Sequence, residues 1–223
     1  RNDFPILRAT IGGKPLVYCG TGANTRLALT QGHLETKPLS DLAIVEQPTV
    51  FGKRFMQGSE QFGIPLYAAS ELLNHSPVTD TFLARRLSDQ FESLLAQPGT
   101  LLLSRSGSVG RPVLVPPWMA GIAIQDDVLK ITASDPRITR YLYAYFMSAI
   151  GQPLLTGAAF GSVIQHIKVD HIRQVPVIVP SRSTLDRVAT LITTAERSRG
   201  VGRQALEDAV EAVHTANHLS PIQ

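Results

Sequence analysis

Two short stretches of this sequence place serines or glycines where enzymes use them, but each departs from the catalytic signature. Ser106-Gly-Ser-Val-Gly110 resembles the nucleophile elbow G-x-S-x-G of serine hydrolases, with a serine in place of the first glycine. Gly20-Thr-Gly-Ala-Asn-Thr25 begins like a dinucleotide-binding turn and then lacks the third glycine. Neither stretch predicts a catalytic residue, and a plain turn is the better interpretation of the second.

Two further stretches approach metal-binding and methyl-transfer motifs. His166-Ile-Lys-Val-Asp-His171 holds two histidines and an aspartate without the spacing or the cysteine partners of a zinc site, so no metal ligand is predicted. Val115-Pro-Pro-Trp118 has the shape of the Asn/Asp-Pro-Pro-aromatic motif of amino-methyltransferases, but a valine replaces the polar residue that would hold the target amine. We therefore expect a chain without catalytic residues of its own.

The loop in LLLSRSGSVGRPVLV, residues 101–115, suits the binding of phosphate oxygens. Between two apolar runs it carries serines and glycines, which expose hydroxyls and backbone N–H groups, and Arg105 and Arg111 add positive charge on either side. The alternative is a flexible hairpin turn in which Arg105 pairs with a nearby carboxylate. The segment alone does not decide between these interpretations.

Composition sets wide limits on the class of protein. The chain of 223 residues can bury one proper core, and its formal net charge of +3 permits a polyanionic partner without requiring one. Cys19, the single cysteine, cannot form an intrachain disulfide, and no apolar stretch of about 18 residues predicts a membrane span. We expect a soluble, cytoplasmic protein and, because the first residue is Arg1, a piece of a longer polypeptide.

Short apolar runs between turn signals predict a mostly β domain with inserted helices over residues 1–181. These runs are 15–18, 42–45, 64–67, 100–103, 113–115, 128–131 and 175–179. The best helix within the domain is 140–150, which follows Pro136 and is predicted to end at Gly151. Its aromatic side chains favour a place in the core over a role in stacking on bases.

The tail, residues 182–223, is predicted to be a long coiled-coil-type helix, because 183–217 contains no proline or aromatic residue. Apolar residues recur there at heptad spacing and predict a helix interface formed by Leu185, Val188, Ile192, Leu206 and Val213. Arg199 falls in the same seam, which weakens the heptad interpretation. An ordinary amphipathic helix packed on its own domain is the alternative.

Six stretches in order resemble the target recognition domain of a type I restriction-modification specificity subunit. The family has GIPL, then SRSGS-x-G, an aspartate-bearing strand, YL-x-x-F with GQ, GSVI-x-HI, and VPV-x-VP before a long helix. The matching stretches here are Gly63-Ile-Pro-Leu66, 99–110, Gln125-Asp-Asp127, 141–152, 159–167 and 172–180. The resemblance covers roughly residues 50–199, and each motif is short, so its strength lies in their order and spacing.

This resemblance implies an α+β fold and a non-catalytic specificity subunit that recognises one half of a bipartite DNA target. The family's helices separate two recognition domains and dock methyltransferase subunits, so the partners implied are double-stranded DNA, methyltransferase subunits and a restriction/translocase subunit. A second recognition domain, or a second copy of this chain, would pair through the helix. S-adenosylmethionine, ATP and Mg are expected on partner subunits and no cofactor on this chain.

The resemblance and the residue types together give two sets of candidate DNA contacts. Phosphate contacts, which position the duplex, are expected from Ser104, Arg105, Ser106, Ser108, Arg111, Ser162, Gln165, His166 and Lys168. Base readout in the less patterned segments is expected from Lys53, Arg54, Gln57, Asn74, Arg85, Arg86 and Gln90.

Two rival functions remain open from the sequence. The chain could be the recognition region of a single-chain restriction-methylation enzyme, in which case Asn-Pro-Pro-Tyr would precede Arg1 in the parent sequence. It could also be a small hydrolase that uses Ser106 or Ser108, which requires a histidine and a carboxylate converging on the loop.

Overall fold

A computed structural model describes most of the chain. The described residues are 10–11, 14–15, 22–32, 34–48, 56–57, 61, 63–74, 76–85, 88, 91–157 and 167–216. The helices are α1 (Gly22–Gln31), α2 (Ala69–Leu72), α3 (Phe91–Leu94), α4 (Pro136–Met147), α5 (Gly151–Thr156), α6 (Val169–Arg173) and α7 (Arg182–Ala216). Two 3-10 helices span Leu39–Asp41 and Pro117–Met119.

The strands form two larger sheets and two pairs. They are β1 (Thr10–Ile11), β2 (Lys14–Pro15), β3 (Thr36–Pro38), β4 (Ile44–Glu46), β5 (Met56–Gln57), β6 (Gly63–Tyr67), β7 (Phe82–Ala84), β8 (Leu95–Ala96), β9 (Leu101–Ser104), β10 (Pro112–Leu114), β11 (Ile122–Ile124), β12 (Val128–Thr132) and β13 (Pro176–Ile178). One sheet has the antiparallel order β10-β9-β12-β4. The other has the order β5-β7-β6-β11-β8 and is parallel only at β6 and β11. β1 pairs with β2, and β3 with β13.

The sheet around β9 is buried on both faces. Leu101 and Leu103 pack into a core cluster with Leu142 and Phe146, whereas Leu102 points into a second cluster on the other side. Neighbouring side chains on a strand alternate between the two faces, so a run of three leucines can fill both cores at once. For this reason the run at 100–103 is apolar throughout and lacks the alternation of polar and apolar residues that marks a half-exposed strand.

Helix α4 covers one face of this sheet and confirms most of its prediction. Asp135 caps it by accepting a hydrogen bond from the Arg137 amide at 2.9 Å, and Tyr145 and Phe146 are buried. The prediction was wrong about Gly151, because the helix ends at Met147 and Gly151 begins α5. A Cβ on Gly151 would collide with the carbonyl of Tyr145, so glycine is needed there for close packing.

Helix α7 packs on α4 through its first half. Arg137 pairs with Asp186 at 2.7 Å, and Arg140 pairs with Glu196 at 3.2 Å. Residues 204–213 are exposed. α7 begins at Arg182, at the predicted boundary; since its first half rests on the preceding domain, the division at 181 and 182 stays a prediction.

The predicted apolar runs from Leu42 onward each overlap a strand, whereas of the first run, 15–18, only Pro15 is described. The fold is therefore the mixed α+β arrangement that the sequence predicts, with a long C-terminal helix.

Candidate nucleic-acid interface

The serine-glycine loop, residues 104–111, connects the antiparallel strands β9 and β10. Gly107 and Gly110 have φ angles of +67° and +74°, which side chains other than glycine rarely adopt. A Cβ on Gly107 would point into open space, while one on Gly110 would come within 3.1 Å of the Leu155 Cβ. The two glycines therefore let the chain turn twice while the second turn packs against α5.

Ser104 closes this loop from inside. Its side chain is buried, its hydroxyl donates a short hydrogen bond to the Ser108 carbonyl, and the amide of Arg111 donates to it at 2.9 Å. The geometry gives Ser104 a place in the loop architecture rather than on its surface. Ser108 and Arg111 are exposed, so their side chains are open to a ligand.

Arg105 and Asp127 join the loop to the start of β12. The Arg105 amide donates to the Asp127 carbonyl at 2.8 Å. Burial and then the charge of Asp126 raise the pKa of the Asp127 carboxyl, while backbone amides, including that of Ala69, and the Ser106 hydroxyl act to lower it. The Asp127 carboxyl thus sits between the loop and α2.

The second segment of the family motifs meets the loop at Arg105. The amide of Ile167 donates to the Arg105 carbonyl at 3.0 Å, and the next residue, Lys168, is exposed at the start of α6. Gln152 holds the other end of the loop, since its side-chain amide donates to the Gly110 carbonyl at 2.8 Å. Ser162, Gln165 and His166 lie outside the described residues.

The guanidinium of Arg105 is not paired with any carboxylate in the described part of the chain, and its Nε is buried without a hydrogen-bond partner there. The Asp127 Oδ1 is buried and equally unsatisfied. Unpaired buried polar atoms are uncommon in folded proteins and call for a physical explanation such as a bound group. The hairpin alternative, with Arg105 paired to a carboxylate, gains no support from the residues described.

The candidate base readers are only partly placed by the structure. Asn74 is exposed just after α2 and lines a cleft together with Arg111. Arg85 is exposed, and its guanidinium carbon lies 6.0 Å from the centre of the Phe91 ring. Gln57 is described in its backbone alone, as part of β5. Lys53, Arg54, Arg86 and Gln90 lie outside the described residues.

The candidate helix interface divides into two parts. Leu185 and Val188 are half-buried, and Ile192 packs against the core cluster of its own domain. Leu206 and Val213, further along α7, have exposed fractions of 49% and 57%. Only these last two therefore lie on helix surface that the described part of the domain leaves open.

Two contacts that join α7 to the domain are not predicted by the sequence. The Arg203 guanidinium carbon lies 4.7 Å from the centre of the Trp118 ring. Arg199, the polar residue at an apolar position of the heptad, lines two clefts of its own domain together with Tyr143. The only sequence signal for this contact is the polar character of Arg199 at an otherwise apolar heptad position.

The described residues offer neither a cluster of metal ligands nor a membrane-spanning helix. In the described residues no group of three or more His, Cys, Asp or Glu side chains is placed to hold a metal ion. No helix in that part of the chain is both long and apolar enough to cross a membrane.

Comparison with solved structures shows which proteins share this fold. The type I restriction-modification S subunit from M. genitalium matches with a TM-score of 0.50 and 12% identity, over 77% of this chain and 42% of that one. The HsdS subunit from Thermoanaerobacter tengcongensis matches with a TM-score of 0.50 and 13% identity, over 77% and 39%. A structure that describes complex assembly and conformational transition of a type I R-M system matches with a TM-score of 0.52 and 12% identity, over 87% and 50%.

These likenesses show that the chain has the fold of type I restriction-modification S subunits, as the order of its motifs predicts. The chain spans half or less of the length of each of these proteins. No protein-family model and no curated protein sequence matches it.

Proposed function

We propose that this chain is a non-catalytic specificity module of a type I restriction-modification system. Its domain, residues 1–181, would grip one half of a bipartite DNA target, and residues 182–223 would serve as spacer and docking helix. The observation that carries the proposal is the meeting of two motif segments at the loop, where the Ile167 amide bonds the Arg105 carbonyl.

Phosphate contacts would come from the exposed side of the loop and from the segment beside it. The candidates on the described part of these segments are Arg105, Ser106, Ser108, Arg111 and Lys168, and cationic and hydroxyl groups are the usual partners of phosphate oxygens. Ser104 supports these residues from inside the loop. The remaining candidates of this set, Ser162, Gln165 and His166, stay predictions.

Base readout would come from the flanking surface. Asn74, which lines a cleft with Arg111, would reach a base edge while the loop holds the neighbouring phosphate. Arg85 is also exposed, although its stacking on Phe91 gives it a second role within the domain. Lys53, Arg54, Gln57, Arg86 and Gln90 remain candidates on the evidence of residue type.

The partners follow from the proposed class. Methyltransferase subunits and a restriction/translocase subunit would carry the chemistry together with S-adenosylmethionine, ATP and Mg, within a cytoplasmic complex. Since the chain spans half or less of each matching structure, a second recognition domain or a second copy would complete the bipartite site. Leu206 and Val213 are the exposed residues through which the helix would pair.

Two other functions were considered. The recognition region of a single-chain restriction-methylation enzyme has the same surface chemistry and differs only in what precedes it. A serine hydrolase needs an imidazole between its serine and its carboxylate. Here the Ser106 hydroxyl acts to lower the pKa of the Asp127 carboxyl, so a direct pairing of serine and carboxylate is what the loop offers.

Salt-dependent binding to duplex DNA tests the proposal. Arg105→Ala should weaken binding to all duplexes by a similar factor and reduce the slope of log affinity against log salt by about 1, because a phosphate contact carries no sequence information. Arg187→Ala removes an exposed charge on α7 and is the matched control. Lost discrimination between sequences with an unchanged slope would contradict the phosphate role, and no salt-dependent binding by the wild type would contradict the proposed function.

A further inference from the structure

Helix α7 presents an arginine to a cleft that begins at the serine-glycine loop. Arg199 is half-buried, and its side chain lines this cleft together with Arg111, Asn74 and Tyr143. Arg111 comes from the end of the loop and Arg199 from the helix, 88 positions later in the chain. The fold therefore brings two arginines from separate elements to the lining of one cleft.

Among the described residues that line this cleft, none is acidic. Glu196 lines a neighbouring cleft with Arg199, but its carboxylate bonds Arg140 at 3.2 Å and is only 13% exposed. Neither Arg111 nor Arg199 forms an ion pair with a residue in the described part of the chain. Bringing two like charges together without a counter-charge is unfavourable, and an anion bound between them would relieve the repulsion.

We propose that this cleft binds a backbone phosphate of the DNA duplex, so that α7 holds DNA as well as separating recognition domains. The inference rests on the proposed function and extends its phosphate contacts from the loop to the helix. Guanidinium groups bind phosphate through paired N–H donors, and Asn74 and Tyr143, which also line the cleft, are residue types that can donate neutral hydrogen bonds.

Continuity with the loop favours DNA over a small free anion. Arg111 belongs both to the loop and to the cleft, so a strand whose phosphate is held at the loop reaches Arg199 by following the same surface. One duplex would then span the joint between domain and helix. Binding would fix the helix relative to the recognised half-site.

The test compares Arg199→Gln with Arg197→Gln in the full chain. Both variants remove one arginine charge from the same helix, but Arg197 lines a separate groove with Arg137 and Asp186. Affinity for a duplex is measured between 50 and 200 mM salt. Arg199→Gln should make the salt slope shallower by about 0.9, so that its deficit relative to the wild type shrinks about threefold across this range. Arg197→Gln should leave the slope unchanged.

A conservative variant separates charge from folding. Arg199→Lys keeps the charge and should restore most of the salt slope, while losing the paired N–H geometry and therefore some affinity. Trp118, the single tryptophan, packs against α7 near Gly200 and Arg203. Its emission therefore reports whether α7 stays packed on the domain in each variant. Native emission with a shallower slope in Arg199→Gln supports the proposal.

Three outcomes would overturn this inference alone, and a fourth would overturn the proposed function with it. If the wild type binds DNA and both glutamine variants keep its slope, Arg199 holds no phosphate while the proposed function stands. If inorganic phosphate, titrated at constant ionic strength, saturates a Trp118 emission change that Arg199→Gln abolishes without affecting duplex binding, the cleft is a small-anion site. If Arg199→Gln alters only co-purification of a methyltransferase subunit, the cleft holds a protein carboxylate. A wild type that binds no duplex removes the proposed function and this inference together.

Discussion

The Ser104 hydroxyl accepts a hydrogen bond from the Arg111 amide at 2.9 Å, across the full width of the serine-glycine loop. The same hydroxyl donates to the Ser108 carbonyl, and backbone bonds join Ser104 to Gly110 and Arg111. A buried serine therefore sets the shape of a loop in which Ser106 is half-buried and Ser108 is exposed. This arrangement separates the residues that build the candidate site from those that would contact DNA.

Ser104→Ala should destabilise the fold, because it leaves the Arg111 amide and the Ser108 carbonyl without their buried partner. A lost buried hydrogen bond costs about 1–3 kcal/mol. Ser108→Ala, at an exposed position, should change the free energy of unfolding by less than about 0.5 kcal/mol. Urea unfolding of both variants provides the measurement, and equal stabilities would show that Ser104 does not support the loop.

Gly110→Ala should be more damaging than Gly107→Ala. Both positions have positive φ and cost about 1–2 kcal/mol when a Cβ is added, but only at Gly110 does the new methyl group press on Leu155, at 3.1 Å. We expect Gly110→Ala to exceed Gly107→Ala by about 1 kcal/mol in urea unfolding. The reverse order would mean that the packing of the loop against α5 is looser than the structure shows.

Asp127 should make stability fall as the pH rises above its ordinary pKa. Burial and the charge of Asp126 raise the pKa of this carboxyl in the folded state, so the folded chain binds the proton more tightly than the unfolded chain. This contribution favours folding below the unfolded pKa, near 4, and is lost as the pH rises through the folded value.

Asp127→Asn removes this titration, so the stability of the wild type relative to the variant should decline as the pH rises above about 4. Urea unfolding at a series of pH values measures the difference. Asp126→Asn is the control and should shrink the effect without abolishing it, since Asp126 is the second cause of the shift. Parallel pH profiles for wild type and Asp127→Asn would contradict the raised pKa.

The open half of α7 should mediate association of the chain. Leu206 and Val213 are exposed, and burying such side chains against a second helix is favourable. Replacing both by lysine should shift sedimentation to the monomer. Gln204→Lys together with Glu211→Lys, on the other side of the heptad, should leave association intact. A wild type that sediments as a monomer, or a control pair that dissociates it equally, would count against the heptad interpretation.

Local patterns in the sequence predicted the strands, but not which individual side chains point into the protein. The continuous apolar run at 100–103 predicts a strand that is buried on both faces. Residues Leu101–Ser104 do form β9, and Leu101, Leu102 and Leu103 are buried. Nothing in the sequence says which serine of the loop turns inward, because that depends on the register of β9 and β10. Ser104 was therefore grouped with the exposed serines.

The heptad shows the same limit over a longer range. Ile192 and Leu206 occupy equivalent positions in the repeat, yet Ile192 packs on the domain core and Leu206 is exposed. The difference arises because α4 runs beside the first half of α7 only. The length of α4 cannot be predicted from the sequence of residues 182–223. Arg199 was marked as a polar residue in the predicted seam, but its place in the cleft depends on Arg111 from the distant loop.

Methylation mapping tests the central claim most directly. The full-length parent is co-expressed with the methyltransferase subunit encoded beside it, and the modified adenines in the host DNA are mapped. We predict a split target motif, one half of which changes when residues 50–100 are exchanged for those of a related chain. The claim would be contradicted by an absence of methylation, together with no co-purifying subunit and no salt-dependent DNA binding.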